Sequence, residues 1–341
     1  MHPRIAINGF GPVARLIFPQ LMRSDGLQLV AINESASLDA LINQAAHDVT
    51  HNGLDVSFSF EEGTTLLRWN DRQVLLTSVE DPQQLPWGEL QVQIVVEASG
   101  IATRPLASTK HLHAGADHVI LEAPVNGADL TVCTGINEDQ FDPDRHLIVA
   151  NALPTTNCVA PIARVLDEEF GIESGVWTRL YAPALDHVEI QVLEDTSQSS
   201  GLAATPIVQS DASIAAGLGD VLTDLASKLD GVVSRVPTPK TCLVDLVLQT
   251  EQPSSAERVN ETLRKAAGTS RLKGILGVSD DEELLVVGST YSALISSNCT
   301  TVVREHTVKV LAWYDSQCST AQRILDLLSY LTASLRRPVA P

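Results

Sequence analysis

The chain has no Cys-x-x-Cys pair, and its five cysteines (Cys133, Cys158, Cys242, Cys299 and Cys318) are odd in number and widely spaced. That pattern argues against a disulfide framework and fits a reduced cytoplasm. A long apolar run is also missing. The N-terminus passes from Met1-His2-Pro3-Arg4 directly into a short apolar stretch without a cleavage signal. Stretches such as Leu284 to Val287 fall far short of the roughly 20 residues a bilayer requires, so neither export nor a membrane span is expected. Positive charge is scarce: 23 Lys and Arg stand against 42 Asp and Glu, a formal net charge of −19. This balance favours solubility and argues against a nucleic-acid or anionic-membrane surface. His111, His113 and His118 lack metal-ligand spacing with an acidic or cysteine partner. They read as solvated helix or turn positions, and no metal is expected. No internal repeat or low-complexity tract interrupts the chain.

What is present points to two domains. At 341 residues the chain exceeds the ~250 residues at which one core stops growing, and its 44% hydrophobic and 19% charged residues are ordinary globular usage. The first part alternates β-type runs and helical patterns: Arg4–Asn8, a helix from Pro12, Gln28–Ile32, a helix near Leu38–Ala46, then hairpin strands up to Leu76. Gln93–Glu97, a helix near Pro105–Ala114, His118–Leu121 and Leu147–Ala150 continue the rhythm. The expected fold class is α/β, with a doubly wound parallel sheet over residues 1–150, completed by a C-terminal helix at 314–335. Near Asn151 the pattern changes to an amphipathic stretch, Asn157–Phe170, and longer strands (Gly175–Leu180, Gly231–Val236, Thr241–Gln249). These predict a second, α+β domain over 151–313 with a mostly antiparallel sheet. Its polar, aperiodic segment 186–209 is long for a passive connection and reads as a functional or interface loop.

Directly after the first strand stands Asn8-Gly9-Phe10-Gly11-Pro12-Val13-Ala14, a G-x-G-x-x-A pattern opening a helix. Glu34 follows at the end of the second strand, where an acid can accept ribose hydroxyls. Strand, turn, helix and acid together mark Gly9, Phe10, Gly11, Pro12, Val13 and Glu34 as candidate dinucleotide-binding residues. Pro12 departs from the pattern's logic, because it has no N–H to give a pyrophosphate at the helix N-terminus. A missing charge-assisted donor costs about 1.5–3 kcal/mol, so weakened binding is expected.

Six motifs then occur in the order found in the glyceraldehyde-3-phosphate dehydrogenase family. They are Ile7-Asn8-Gly9-Phe10-Gly11, Val30-Ala31-Ile32-Asn33-Glu34, Val95-Val96-Glu97-Ala98-Ser99-Gly100, Thr155-Thr156-Asn157-Cys158, Arg235-Val236-Pro237-Thr238-Pro239 and Trp313-Tyr314-Asp315. The chain resembles that family over nearly its whole length. Leu85-Pro86-Trp87-Gly88-Glu89-Leu90 and Gly171-Ile172-Glu173-Ser174-Gly175 look closer to the erythrose-4-phosphate dehydrogenase branch. The resemblance implies a Rossmann-type NAD domain, a catalytic domain, a homotetramer, and a cysteine thiolate activated by a histidine. It also adds Ser99 and Ser316 to the cofactor-binding candidates.

At the family's two catalytic positions the residues differ. The cysteine that precedes Thr-Thr-Asn-Cys is here Pro154, which carries no nucleophile and no oxyanion-holding N–H. The residue aligned with the histidine is Tyr181, a phenol with an unperturbed pKa near ~10 and a poor base near neutrality unless a cation shifts it. Ser316 and Gln317 replace an Asn-Glu, Thr320 replaces an aromatic, and no Arg or Lys lies between Asp186 and Asp211. Thr155, Thr156, Asp211 and Arg235 remain as substrate-pocket candidates, with Arg235 either holding an anion or paired to Asp211. Cys158 reads as a buried small hydrophobe, and Cys318 as the better surrogate thiol. The expectation is a pseudoenzyme with weakened NAD binding, a nucleotide or sugar-phosphate ligand and a regulatory or scaffold role. The alternative is an oxidoreductase of altered mechanism on a sugar-phosphate aldehyde.

Overall fold

A computed structural model describes residues 2–35, 37–51, 57–61, 64–100, 107–181, 208–210, 217–236, 241–281 and 285–335. Asp211 and most of the 186–209 loop lie outside these residues. Arg235 is described only as a backbone position. The chain divides into two compact units: 1–131 with 140–151 and 324–341, and 132–139 with 152–323.

The first unit is built on β1 (Arg4–Asn8), α1 (Pro12–Arg23), β2 (Gln28–Asn33), α2 (Leu38–His51), β3 (Ser57–Glu61), β4 (Thr64–Trp69) and β5 (Arg72–Thr77). It continues through β6 (Ile94–Glu97), α3 (Thr109–His113), β7 (His118–Leu121), β8 (Leu130–Val132) and β9 (Ile148–Asn151). The nine strands run in the order β3-β4-β5-β2-β1-β6-β7-β9-β8. From β5 to β9 every pair is parallel, and β3-β4-β5 is an antiparallel flap. This is a Rossmann-type α/β sheet. Central strands buried on both faces must be apolar throughout, as Ile5-Ala6-Ile7 and Ile94-Val95-Val96 are. Because β2 and β6 lie on opposite sides of β1, the strand order reverses there. The carboxyl ends of β1 and β6 therefore meet at a topological switch point, where open α/β sheets bind ligands.

The second unit contains α4 (Pro154–Phe170), β10 (Ile172–Tyr181), β11 (Val208–Ser210), β12 (Leu229–Arg235), β13 (Cys242–Thr250) and α5 (Ala256–Ala267). β14 (Leu276–Ser279), β15 (Ala293–Ser296), β16 (Thr301–Val303) and β17 (Thr307–Tyr314) complete its sheet; α6 (Ser316–Leu335) is the last described element, and from Ile324 on it belongs to the first unit. The sheet order is β11-β12-β10-β13-β17-β15-β14, with β16 on β17. Its pairs are mostly antiparallel, as expected, with parallel exceptions at β10-β12 and β14-β15. Strict alternation along β13, from buried Cys242 to buried Thr250, turns one face onto α4. Trp177 lies directly across from Gly231 on β12, and a Cβ at Gly231 would overlap the indole ring.

Two local expectations change. The helix anticipated near 105–114 is, among the described residues, the single turn Thr109–His113. The amphipathic stretch Asn157–Phe170 belongs to a helix that starts at Pro154, where proline at the first helical position forfeits no intrahelical bond. His111 and His118 are buried rather than solvated, at 0% and 5% exposure. His118 opens β7 with its ring edge against Phe141 and Nε2 at 3.2 Å from the Pro143 carbonyl.

Candidate functional site

The sequence-predicted residues divide between the two units. In the first, Gly9 follows β1 with φ +89°, a left-handed backbone that glycine adopts without strain. A Cβ there would fall on Ser99 Cα and N, so the turn after β1 is pressed against the backbone leaving β6. Gly11 is different. Its φ is −73°, and a Cβ built on it would come no closer than 3.9 Å, to the Ala98 carbonyl. Gly11 is the N-cap of α1 and supplies no side-chain cap to its first-turn amides. Pro12 occupies N1, as the sequence implies, and removes one of those donors. Arg15 N donates to Gly11 O at 3.0 Å and closes the first turn. Phe10 is buried and packs edge-on against Phe18 at 5.5 Å.

Glu34 stands just beyond β2, where the fingerprint requires an acid. Its Oε2 accepts the Phe10 amide at 2.8 Å, tying the end of β2 to the turn after β1. The observed arrangement fits a dinucleotide: a glycine pressed to the neighbouring backbone, a second with open space before it, an uncapped helix N-terminus and a carboxylate beside them. Val13 is buried at the start of α1, and Ser99 donates its amide to Glu97 Oε1 at 2.8 Å.

Behind this turn lies a polar cluster that the motif reading missed. Asn33 Nδ2 donates to Asn8 Oδ1 at 2.7 Å, and Asn8 Nδ2 donates to Glu97 Oε2 at 2.6 Å. The Ser99 hydroxyl donates to Glu97 Oε1, His111 Nε2 meets Glu97 Oε2 at 2.8 Å, and Trp87 Nε1 donates to His111 Nδ1 at 2.9 Å. Burial alone would push the Glu97 carboxyl up; the hydrogen bonds from His111, Ser99 and Asn8 outweigh it and hold the group below the usual carboxylate range. A charged residue closing an otherwise apolar strand, Ile94-Val95-Val96-Glu97, was the available signal.

In the second unit, Pro154 stands at the N-terminus of α4. Pro154 is N1 of that helix, and no side chain caps it. Thr155 and Thr156 are buried at 1% and 3% exposure, and the Thr155 hydroxyl lies 3.1 Å from the Tyr314 hydroxyl. Desolvation raises Tyr314 well above the ordinary phenol range. Asn157 Nδ2 donates to Ala152 O at 2.7 Å and braces the helix entry. Cys158, one turn deeper, is fully buried and its thiol is pushed up by desolvation, so it packs as the sequence reading expected. Cys318 is partly exposed, its amide donating to Asp315 Oδ1 at 3.0 Å. Ser316 opens α6 and its carbonyl accepts the Thr320 hydroxyl at 2.6 Å.

Tyr181 ends β10 and is buried, but it is not alone. Arg179, two residues earlier and hence on the same face, stacks its guanidinium 4.6 Å from the Tyr181 ring centroid. Arg179 is only 1% exposed, and Nη2 lies 3.6 Å from Cys242 Sγ. The period-2 spacing of Trp177, Arg179 and Tyr181 was readable in the sequence; that the arginine would point inward was not. Among the described residues, no group of His, Cys, Asp and Glu could hold a metal ion.

Comparison with known proteins adds two family models. The glyceraldehyde 3-phosphate dehydrogenase NAD binding domain matches residues 3–105, and the C-terminal domain of the same family matches 154–316. Glyceraldehyde-3-phosphate dehydrogenase 2 of Bacillus subtilis is 40% identical over 342 residues, covering 100% of both chains. The glyceraldehyde-3-phosphate dehydrogenase of Geobacillus stearothermophilus is 36% identical over 98% of this chain and 99% of its own. That of Streptomyces coelicolor is 33% identical over 97% and 99%.

Proposed function

Because the chain belongs to the glyceraldehyde-3-phosphate dehydrogenase family, we propose that it is a pseudoenzyme: a member that keeps a dinucleotide site and has lost thiolate chemistry. One observation carries the reading. The helix position that would present a sulfur nucleophile is an imino acid at N1 of α4, with neither thiol nor N–H. Cys158 does not substitute, being fully buried with a raised thiol pKa.

NAD would be held by Gly9, Phe10, Gly11 and Val13 at its phosphates and by Glu34 at a ribose, with Ser99 bordering the turn. When bound, NAD supplies a hydride acceptor. Pro12 leaves one fewer amide for the pyrophosphate, so affinity is expected about tenfold or more below that of a turn with a full set of donors. Ser316 is proposed to border the cofactor as well, and Thr155, Thr156, Asp211 and Arg235 the substrate side, where a sugar phosphate of the erythrose-4-phosphate type is the candidate ligand. The same proposal includes a cytoplasmic homotetramer with a regulatory or scaffold role. Self-association is supported by the outer face of the second unit's sheet, where Val176 and Val232 are 60% and 39% exposed. No described helix is long and apolar enough to cross a membrane.

The test mixes purified protein with NAD, phosphate and erythrose 4-phosphate or glyceraldehyde 3-phosphate and follows NADH. Loss of nucleophile and base together is expected to depress turnover by about 10⁴-fold or more relative to an intact relative. NADH at a family-like rate ends the proposal.

A second reading has its own observation. A phenol becomes a competent base only beside a cation, and Arg179 supplies one 4.6 Å from the Tyr181 ring. An oxidoreductase of altered mechanism would use Tyr181 in this way. Turnover of any sugar-phosphate aldehyde that Tyr181→Phe leaves unchanged removes that reading.

A further inference from the structure

The turn after β1 is backed by a line of buried, hydrogen-bonded side chains. Trp87 and His111 are completely buried, and Glu97 is 4% exposed. An indole N–H can only donate, so His111 Nδ1, which receives it at 2.9 Å, must present a lone pair. Nε2, on the far side of the ring, is aimed at Glu97 Oε2 2.8 Å away. Glu97 receives this N–H, the Asn8 amide, the Ser99 amide and the Ser99 hydroxyl. Four donors converge on one carboxylate.

Position makes this more than a satisfied core. Glu97 ends β6, and Ser99, two residues on, is the backbone against which Gly9 is pressed. Whatever holds the carboxylate holds Ser99, and whatever holds Ser99 sets the height of the turn after β1. We propose that Trp87 and His111 are positioning residues for dinucleotide affinity. They orient Glu97, Glu97 fixes the Ala98–Ser99 backbone, and that backbone sets the gap between Gly9 and the start of α1 in which the pyrophosphate lies. The inference rests on the reading of the Gly9 turn as a nucleotide site.

Calorimetric titration of the full chain with ADP-ribose tests it, each variant first shown folded by circular dichroism. His111→Leu strands both the Trp87 donor and one Glu97 oxygen, and is expected to weaken ADP-ribose by about tenfold or more. His111→Gln offers an N–H to Glu97 and a carbonyl to Trp87, and is expected to recover most of that loss. If His111→Leu does not fold, Trp87→Phe removes only the indole donor and is expected to weaken binding by about fivefold. Equal losses in the Gln and Leu variants would show that ring packing matters and the hydrogen bonds do not, overturning the inference. So would folded Leu or Phe variants whose affinity stays within about twofold of wild type. No heat from the wild-type protein overturns the nucleotide reading first, and the inference falls with it.

Discussion

Two glycines separated by one residue should respond to alanine differently, one in stability and the other in binding. At Gly9 the backbone has φ +89°, and a Cβ would overlap the Ser99 backbone, which cannot rotate aside as a side chain could. Left-handed φ costs a non-glycine residue ~1–2 kcal/mol, and forcing an atom into a packed site adds ~1–3 kcal/mol. Gly9→Ala is therefore expected to destabilise by about 2–5 kcal/mol, enough to lower a urea midpoint visibly. Gly11 has φ −73°, ordinary for any residue, and the nearest atom to its added Cβ is 3.9 Å away. At this N-cap alanine loses glycine's capping preference while restricting the unfolded chain by ~0.4–1 kcal/mol, so the two effects offset and Gly11→Ala is expected to shift stability by less than about 1 kcal/mol. Its effect falls on binding instead, because the methyl group enters the space through which a pyrophosphate must approach the turn. ADP-ribose affinity should fall by about tenfold or more while stability hardly changes. Urea unfolding and calorimetry on the two variants read both effects. A Gly9→Ala protein with the wild-type midpoint refutes the close approach to Ser99. A Gly11→Ala protein with wild-type affinity refutes the placement of the phosphates.

Three further outcomes are expected. Glu97, whose carboxyl is held below the usual range, contributes stability that is full above its unfolded value near ~4.3 and is lost as pH falls through the lower folded value. Glu97→Gln should thus be less stable than wild type at neutrality, with the difference closing below about pH 4; a difference independent of pH contradicts the ionised assignment. Iodoacetamide with peptide mapping should label exposed Cys299 well before Cys158, which is buried with its thiol pushed up; equal labelling would mean that α4 opens in the native protein. Arg164 contacts both oxygens of Asp224 at 2.8 and 3.0 Å, but Asp224 is half-exposed. Arg164→Ala should therefore cost no more than about 1 kcal/mol, shrinking in high salt, and a larger salt-independent loss would be incompatible with this.

The parallel sheet was legible because its strands are continuous apolar runs and its turns carry glycine. Ile5-Ala6-Ile7 followed by Gly9 admits few other readings. The mostly antiparallel second sheet was legible from the alternation along β13. Its far side was not: β15 and β16 are runs of only four and three residues, too short for a period to emerge. The burial of His111 was missed for a related reason. A single helical turn gives no amphipathic pattern, and only the tertiary partners Trp87 and Glu97 make a buried imidazole acceptable. Arg179 shows the limit of composition. An arginine in a strand reads as outward-facing until the ring of Tyr181 and the sulfur of Cys242 are seen beneath it.

Pro154 gives the pseudoenzyme reading an evolutionary direction. At N1 its ring holds the φ that a helix start needs, so on that reading the substitution which silenced the chemistry also made the entry of α4 more rigid. Replacing it with cysteine would free the unfolded chain by ~0.4–1 kcal/mol. On the pseudoenzyme reading that change would supply a thiol without its base, so it would lower stability and restore no turnover. On the same reading Pro154 works as a ratchet: a lineage that passes it drifts forward more readily than back.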